Sequence, residues 1–255
     1  MVPEDSKAVS QEDLESMTPE MLVERARKFY LRYGEEVEQI AELLEIKLKQ
    51  LALAYTISNK LPKKAISIST RVKSEQSFLK KLENKGWPYF YIPTEVVKDL
   101  VGARVVCWFQ DDCYGFLEFL KQSNHLTLAD NNIRPIKDYI LTPQNAGYRA
   151  IHVFADLTYD SVKSKDDIVG VVPDKILCEI QVRSKLQDAW GDITHEFFYK
   201  AKDAGVNHKD YEGLLSTLAD NLAVQDKTFL KFRDAYQRLI DEKMKDGKRE
   251  GFAAE

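Results

Sequence analysis

Cysteine and histidine are scarce in this chain, whose 255 residues include only three cysteines and four histidines. No cysteines have CxxC spacing and no histidines pair at metal-ligand spacing, so a zinc site is not expected. The cysteines lie in apolar segments, which is typical of reduced core residues in a cytoplasmic protein. They are Cys107, Cys113 and Cys178.

Long hydrophobic runs are also missing. No segment approaches the length of a membrane span, and the first ten residues contain no apolar stretch typical of a signal peptide. No internal repeat or low-complexity linker is found. The composition, 44% hydrophobic and 31% charged, is that of an ordinary folded protein, and the length allows one sizeable core or one core with a helical annex. We therefore expect a cytoplasmic protein without a membrane partner.

The charge is unevenly distributed. The net charge of −4 argues against bulk binding of nucleic acid, but residues 60–85 contain eight basic and two acidic side chains, a local charge of +6. Such a cluster favours a polyanion, either the phosphates of a nucleotide or a nucleic-acid backbone. The alternative is a solvated helix face.

Hydrophobic periodicity predicts an α+β fold with helical extensions at both ends. We divide the chain into an N-terminal helical region (1–60), a central domain of strands and helices (61–203) and a C-terminal helical extension (204–255). Thr18 and Pro19 have the pattern of an N-cap followed by proline at the first helical position. The helix that they begin should run to about Asn59, with Gly34 interrupting or bending it.

Several shorter elements are predicted in the central domain. A helical turn is expected at 96–100, a short strand near 133–140 and a strand over 148–156, and residues 160–173 are expected to form a loop or a hairpin.

One alternating segment, from Leu177 to Ser184, predicts a strand with two different faces. Glu179, Gln181 and Arg183 are expected on one face, and the apolar residues between them on the other. An acid, an amide and a guanidinium on one side of a buried strand are costly unless something uses them. That face is therefore either a solvent-facing sheet surface or a functional one.

A basic segment leads into a helix predicted over 74–84. Arg71 and Lys73 alternate along an extended stretch, while Ser77 and Lys81 are four residues apart and share a helical face. If the two faces converge, they offer a guanidinium, two ammonium groups and a hydroxyl to a triphosphate, beside the amides of the helix start.

Asp99 lies where a predicted turn enters a buried strand, and Gly102 permits a bend or a close approach. A lone aspartate there is more often a cap than a metal ligand. Paired in space with Glu179, it would suit Mg²⁺, which takes one or two carboxylates together with phosphate oxygens.

Residues 137–152 predict a turn between strands that carries a basic residue, a tyrosine after a glycine, and a histidine. Tyr148 is suited to stack on a base, an interaction worth roughly 1–3 kcal/mol per base in single-strand binders. The alternative is a tyrosine packed at a strand edge.

Taken in order, these motifs resemble the synthetase domain of RelA/SpoT-type alarmone synthetases. The resemblance covers about residues 40–235 and rests on five segments: RVKSEQSFLKK from Arg71, DLVGARVV from Asp99, KDYILTPQNAGYRAIH from Lys137, EIQVRS from Glu179 and AWGDITHEFFYK from Ala189. The last segment looks most like the small, single-domain members. Because no His-Asp dipeptide occurs, we do not expect the hydrolase of the bifunctional enzymes.

The resemblance implies a nucleotidyltransferase-like mixed β-sheet flanked by helices, with 61–203 as the synthetase domain. It implies a GTP pyrophosphokinase, which moves the β,γ-pyrophosphate of ATP to the 3′-hydroxyl of GDP, GTP or GMP with Mg²⁺, releasing AMP and making (p)ppGpp alarmones. Asp99 and Glu179 would be catalytic and hold the metal, and Glu179 would also accept the hydroxyl proton. The residues implied for ATP and its phosphates are Arg71, Lys73, Ser77, Lys81 and Arg104. Those implied for the acceptor are Lys137, Tyr148, Arg149, His152, Gln181 and Arg183.

The departures from the family pattern fall on the acceptor side. Gln144 stands where lysine is common, Ala146 where asparagine is usual, and Ala150 where serine is usual. An alternative is therefore a toxin-type relative that uses the same donor but modifies the 3′ end of tRNA or an adenine nucleotide. A third class is a non-catalytic regulator that binds nucleotide or RNA, against which the presence of both Asp99 and Glu179 argues.

The last predicted helix carries more apolar residues than a free surface helix should show. They are Leu214, Leu218, Leu222, Phe229, Phe232 and Leu239. We expect them either to pack on the catalytic body or to form the contact of a homo-oligomer. The small members of the family are often tetrameric and the toxin-type members often monomeric.

Overall fold

The computed structural model describes residues 17–129, 134–165, 168–203 and 211–252. In these ranges the helices are α1 (Pro19–Ser58), α2 (Glu75–Asn84), α3 (Pro93–Val96), α4 (Gln110–Lys121), α5 (Lys185–Asp203) and α6 (Glu212–Phe252). The strands are β1 (Ile66–Val72), β2 (Val101–Cys107), β3 (Leu126–Leu128), β4 (Lys137–Asp138), β5 (Ile151–Lys165) and β6 (Ile168–Ser184). In the same ranges, 3₁₀ turns lie at Lys63–Ala65 and Asn145–Gly147.

The strands form a six-stranded sheet in the order β1-β2-β6-β5-β3, and β4 pairs with β5 outside this path. β5 is antiparallel to both β6 and β3. Helices lie between β1 and β2 and between β2 and the later strands, so these strands are joined by crossovers. Strands β5 and β6 follow each other directly and form a hairpin. The predicted α+β class with a nucleotidyltransferase-like sheet is confirmed.

Helix α1 begins as the sequence predicts. The Thr18 side chain accepts a hydrogen bond from the backbone N–H of Met21 at 3.5 Å, and proline occupies the first turn. The expected interruption at Gly34 is wrong, since the helix continues through it, and a bend at this residue stays a prediction. A glycine inside a helix costs about 1 kcal/mol, and the buried stripe of α1 on both sides, which packs along β1, offsets that cost.

The β5–β6 hairpin is longer than predicted. Its register runs from the pair Ile151 and Val182 to the pair Lys165 and Ile168, so the described residues of the segment 160–173 belong to the two strands of a hairpin. The predicted strand over 148–156 begins too early, because β5 starts at Ile151. Tyr148 therefore lies in the segment before β5, where the two-residue alternation of a strand does not apply.

Two short elements also differ from prediction. The helical turn expected at 96–100 is wrong: the turn is α3, which begins at Pro93, a residue whose fixed φ suits the first helical position. Leu100 instead accepts a hydrogen bond on its carbonyl from the N–H of Lys73, at 2.8 Å. Of the strand expected near 133–140, only Lys137–Asp138 is a strand among the described residues, and 130–133 lie outside them.

The alternation predicted for the end of β6 is present. Cys178, Ile180 and Val182 are fully buried, while Glu179 and Gln181 are half-buried on the other face. Arg183 differs from its two polar neighbours because it is buried. All three cysteines of the chain are free and buried, as expected for core residues.

The chain separates into two compact units. The first contains the described residues of Met1–Val105, Phe116–Lys137 and Ile151–Val182, and the second those of Val106–Gly115, Asp138–Ala150 and Arg183–Glu255. The three-part division expected from the sequence stays a prediction. Among the described residues, no helix has both the length and the apolar character needed to cross a membrane.

Candidate active site

A cleft of about 170 Å³ opens in the first unit, over the ends of β1, β2 and β6. Side chains of both charges line it. The lining residues are Ser69, Thr70, Arg71, Asp99, Gly102, Ala103, Arg104, Glu179 and Gln181. Five of the residues predicted for the site from the sequence are therefore brought together by the pairing of strands far apart in the chain.

Asp99 stands between two lysines. Its Oδ2 lies 2.9 Å from Lys73 Nζ and its Oδ1 2.9 Å from Lys81 Nζ. Lys73 directly follows β1, and Lys81 projects from α2, whose first turn Ser74 caps by accepting from the N–H of Ser77. Burial acts to raise the pKa of Asp99, but the hydrogen bonds and charges of the two lysines outweigh it and hold the pKa below its ordinary value. Asp99 is thus ionised at neutral pH.

Glu179 is held by two side chains from the same pair of strands. Its Oε1 lies 3.0 Å from His152 Nδ1, and its Oε2 accepts from Gln181 Nε2 at 3.2 Å. His152 pairs with Gln181 in the register of β5 and β6, which places it diagonally across from Glu179. Burial acts to raise the pKa of Glu179, yet the hydrogen bond and charge of His152 and the hydrogen bond of Gln181 hold it below its ordinary value.

The two carboxylates repel each other. The charge of Asp99 acts to raise the pKa of Glu179, and both line the same cleft. Among the described residues no three His, Cys, Asp or Glu side chains gather as a metal site. Two ionised carboxylates in one cleft would suit Mg²⁺, which takes one or two carboxylates and completes its shell with phosphate oxygens and water. The donor set therefore fits this metal.

Two arginines complete the lining of the cleft. Arg71 is exposed at the end of β1, and no hydrogen bond or ion pair of its side chain is found in the described part of the chain. Arg104 is half-buried in β2. A Cβ on Gly102 would meet the Glu179 carbonyl oxygen at 3.7 Å and Arg71 Cγ and Nε at 3.9 Å, which are ordinary contacts. The backbone around Gly102 therefore leaves room for a Cβ.

Two other predicted residues of this unit lie apart from that lining. The hydroxyl of Ser77 accepts a hydrogen bond from Ser74 at 2.9 Å, in the exposed first turn of α2. Lys137 is exposed at the start of β4. Neither Ser77 nor Lys137 is among the residues that line the cleft.

The second unit contains Tyr148 and Arg183, two of the residues that the sequence predicts for the acceptor. The Arg183 guanidinium lies over the Tyr148 ring, 5.5 Å from its centroid, and Nη2 donates to the Tyr148 hydroxyl at 3.1 Å. Nη1 of Arg183 lies 3.7 Å from Asp188. Trp190 and Tyr139 also contact Tyr148, with centroids 6.4 and 6.1 Å away. Arg183 thus stacks on one face of the tyrosine and fixes its hydroxyl.

Arg149 is engaged within the same unit. Nη1 donates to the Ile140 carbonyl at 3.0 Å and Nη2 to Asp220 of α6 at 2.7 Å. The side chain is largely buried. Its guanidinium therefore links the segment between β4 and β5 to α6.

Sequence reasoning missed three residues that support the cleft. The Tyr30 hydroxyl, on α1, donates to the Lys73 carbonyl at 2.8 Å. The Thr70 hydroxyl donates to Glu45, also on α1, at 2.9 Å. Nothing in the local pattern of α1 distinguishes Tyr30 or Glu45 from ordinary helix residues, so no sequence signal was available. These contacts hold the β1 end and the segment after it against α1.

Comparison with known proteins finds similar sequences and a similar solved structure. A family model described as the region found in RelA / SpoT proteins matches residues 70–204. The GTP pyrophosphokinase YwaC of Bacillus subtilis (strain 168) is 31% identical over 135 residues, which cover 51% of this chain and 57% of that protein. The GTP pyrophosphokinase YjbM of the same strain is 29% identical over 174 residues, which cover 68% of this chain and 72% of that protein.

A solved structure is similar over most of the chain. The crystal structure of small alarmone synthetase 1 from Bacillus subtilis, bound to its product pppGpp, has a TM-score of 0.68 and 25% identity, and the match covers 82% of this chain and 99% of that one. The match with YwaC spans just over half of that relative, whereas the matched structure is covered almost completely. Since the family model covers more than half of the sequence and includes the segments that form the cleft, the chain belongs to the RelA/SpoT family.

Proposed function

We propose that this protein is a Mg²⁺-dependent GTP pyrophosphokinase, which transfers the pyrophosphate of ATP to the 3′-hydroxyl of GDP or GTP, or of GMP, and makes (p)ppGpp alarmones. The observation that carries the proposal is the cleft in which two ionised carboxylates, Asp99 and Glu179, stand beside Arg71 and Arg104. Relatives named GTP pyrophosphokinase support it. We place the reaction in the cytoplasm, where both nucleotides are available.

The positively charged side chains of the site are proposed to bind ATP, the pyrophosphate donor. Arg71 and Arg104 bind the phosphates of ATP, Arg71 with a guanidinium suited to a bidentate contact. Lys73 and Lys81 hold Asp99 ionised, and their ammonium groups turn to phosphate oxygens when ATP binds. Bound by Asp99 and Glu179, Mg²⁺ would offset the negative charge that the phosphates carry.

In the transfer, the acceptor 3′-oxygen forms a bond to the β-phosphorus of ATP, and the bond from that phosphorus to the oxygen shared with the α-phosphate breaks. AMP leaves with that oxygen. The hydroxyl proton passes to Glu179, which is ionised and held in place by His152 and Gln181. Phosphoryl transfer depends mainly on positioning and charge stabilisation, so a weakly basic carboxylate is sufficient.

The acceptor is proposed to bind through Tyr148, whose ring stacks on the base. Arg183 holds that ring and its hydroxyl. The residues expected to line the acceptor and phosphate region were Lys137, Arg149, His152, Gln181 and Arg183. We propose that Arg149 and His152 act mainly through their partners, because Arg149 is engaged by Asp220 and His152 contacts Glu179.

The test is to incubate the purified protein with Mg²⁺, labelled ATP and one acceptor at a time: GMP, GDP, GTP, ATP or tRNA. We expect labelled tetra- or pentaphosphate and AMP with the guanine nucleotides. Label in tRNA or in an adenine nucleotide would establish the toxin-type alternative instead. If no acceptor causes AMP formation while ATP still binds, a non-catalytic regulator replaces the proposed enzyme.

We also propose that α6 forms the contact of a homo-oligomer, a tetramer by resemblance to the small members of the family. Five of the six apolar residues that the sequence singled out on this helix are exposed, including Phe232 at 65% and Leu239 at 59%. An exposed apolar stripe of this length is uncommon on a monomer. Light scattering should give a mass above one chain of 29.4 kDa, and a monomer would contradict this part of the proposal.

A further inference from the structure

The segment that carries Tyr148 has an unusual backbone. In the acceptor loop, defined as residues 138–150, Ala146 has φ 58° and Gly147 has φ 85°. Glycine adopts such a φ at little cost and asparagine does so occasionally, whereas an alanine there costs roughly 1–2 kcal/mol. Within the loop, the Gln144 carbonyl accepts from the Gly147 N–H at 2.9 Å. A strained loop of this kind keeps one conformation only when surrounding contacts impose it.

Helix α6 supplies such a contact at the glycine. A Cβ on Gly147 would lie 2.5 Å from the Cβ of Ala219 and 3.1 Å from the Cα of Ser216. Ala219 is completely buried, although most of its neighbours on α6 are exposed. The two small residues therefore allow the helix to approach the loop backbone at the residue directly before Tyr148.

Two hydrogen bonds fix α6 on either side of this point. Asp220 accepts from Arg149, the residue directly after Tyr148, at 2.7 Å. The Leu215 carbonyl accepts from the indole N–H of Trp190, whose ring also contacts Tyr148. The residues that flank Tyr148 in sequence, and one aromatic neighbour in space, are thus all held by the same two turns of one helix.

We propose that Ala219 and Asp220 are positioning residues that hold the acceptor loop in the conformation which presents Tyr148 to the acceptor nucleotide. Both lie outside residues 70–204, the part of the chain that the family model matches. Helix α6 would thereby control the affinity for the acceptor but not for ATP, since the donor residues belong to the other unit. The inference rests on the proposed function, because it assigns Tyr148 to the acceptor.

The first test uses substitutions on α6 that leave the loop sequence unchanged. Asp220→Ala removes the partner of Arg149, and we expect the KM for the guanine nucleotide to rise about fivefold while the KM for ATP is unchanged. Asp220→Glu should restore most of the affinity. Ala219→Leu should have a larger effect in the same direction, because the added atoms meet Gly147. The matched control is Asp241→Ala, an exposed aspartate of α6 whose side chain bonds Gln237.

A KM for ATP that rises by the same factor, or a loss of kcat with both KM values unchanged, would overturn the proposal. A second measurement does not depend on activity. The Gln144 N–H donates to the Tyr148 carbonyl at 3.1 Å. Hydrogen exchange of the wild type without nucleotide should therefore show protected amides at Gly147 and Gln144, and Asp220→Ala should speed their exchange severalfold, which Asp241→Ala should not. Unchanged exchange in Asp220→Ala would contradict the role of α6. A wild type that makes no alarmone but shows this difference in exchange would refute the proposed function alone.

Discussion

Nδ1 of His152 lies 3.0 Å from Oε1 of Glu179 across the β5–β6 pair. An ionised carboxylate only accepts hydrogen bonds, so Nδ1 is the donor. The contact favours the charged form of Glu179 and helps to keep its pKa below the ordinary value in spite of burial. The residue proposed to accept the hydroxyl proton is therefore kept ionised by a neighbour on the adjacent strand.

Replacing this neighbour should change the pH dependence of the reaction. In His152→Ala, burial of Glu179 is no longer opposed by the imidazole, so the pKa of Glu179 rises. The acid limb of kcat/KM should then move to higher pH, and the activity near neutrality should fall about tenfold or more. Full pH profiles of both proteins measure this effect. His125→Ala is the control, because His125 is exposed. An unshifted acid limb would show that the contact does not tune Glu179.

Removing the carboxylate itself should have a larger effect. Glu179→Gln keeps the shape of the side chain but loses a proton acceptor and a metal ligand. We expect kcat to fall roughly 10²–10⁴-fold, with ATP still bound and the midpoint of thermal unfolding nearly unchanged. Single-turnover kinetics measure the loss of the chemical step, and calorimetry with ATP measures whether ATP still binds. Glu118→Gln, at an exposed position of α4, should leave activity unaltered. Substantial turnover in Glu179→Gln would exclude the proposed proton transfer.

Asp99 should make the stability of the protein depend on pH. Its pKa in the folded state lies below the ordinary value of 3.8, so the stabilisation is fully present above that value and is lost as the pH falls through the folded-state pKa. Asp99→Asn should lower the free energy of unfolding by about 1 kcal/mol at pH 7, because Lys73 and Lys81 lose their partner. Urea unfolding without nucleotide or Mg²⁺ tests this. A difference between the two proteins that persists unchanged into strong acid would contradict the ion pairs as its source.

Two substitutions at Tyr148 separate stacking from hydrogen bonding. Tyr148→Phe keeps the ring and the stacked Arg183 and loses the 3.1 Å hydrogen bond, so the KM for the guanine nucleotide should change little. Tyr148→Ala removes the ring, and a loss of about 1–3 kcal/mol corresponds to a KM roughly 5–150-fold higher. Steady-state kinetics with ATP held saturating measure both. If the two variants behave alike, the base does not stack on this ring.

Several features followed from local sequence because their causes act within a few residues. Thr18 and Pro19 started α1 through a cap and a fixed φ. The period of two in β6 separated the buried residues Cys178, Ile180 and Val182 from the half-buried Glu179 and Gln181. The order of the motifs was enough to indicate the family before any contact was known.

Other features depended on partners far away in the chain. Gly34 did not end α1, because the packing of that helix along β1 outweighs the local cost of glycine. Tyr148 lies before β5 and not in it, because the pairing with β6 begins only at Ile151. No local pattern contains either piece of information.

Local sequence thus specifies the chemical groups and the faces of the elements that carry them, since propensity, capping and alternation act over a few residues. Which of these groups meet depends on long-range packing. The contact of His152 with Glu179 spans 27 residues and that of Arg149 with Asp220 spans 71. Such contacts are set by strand register and helix packing, and they gave His152 and Arg149 neighbours that their motif alone did not reveal.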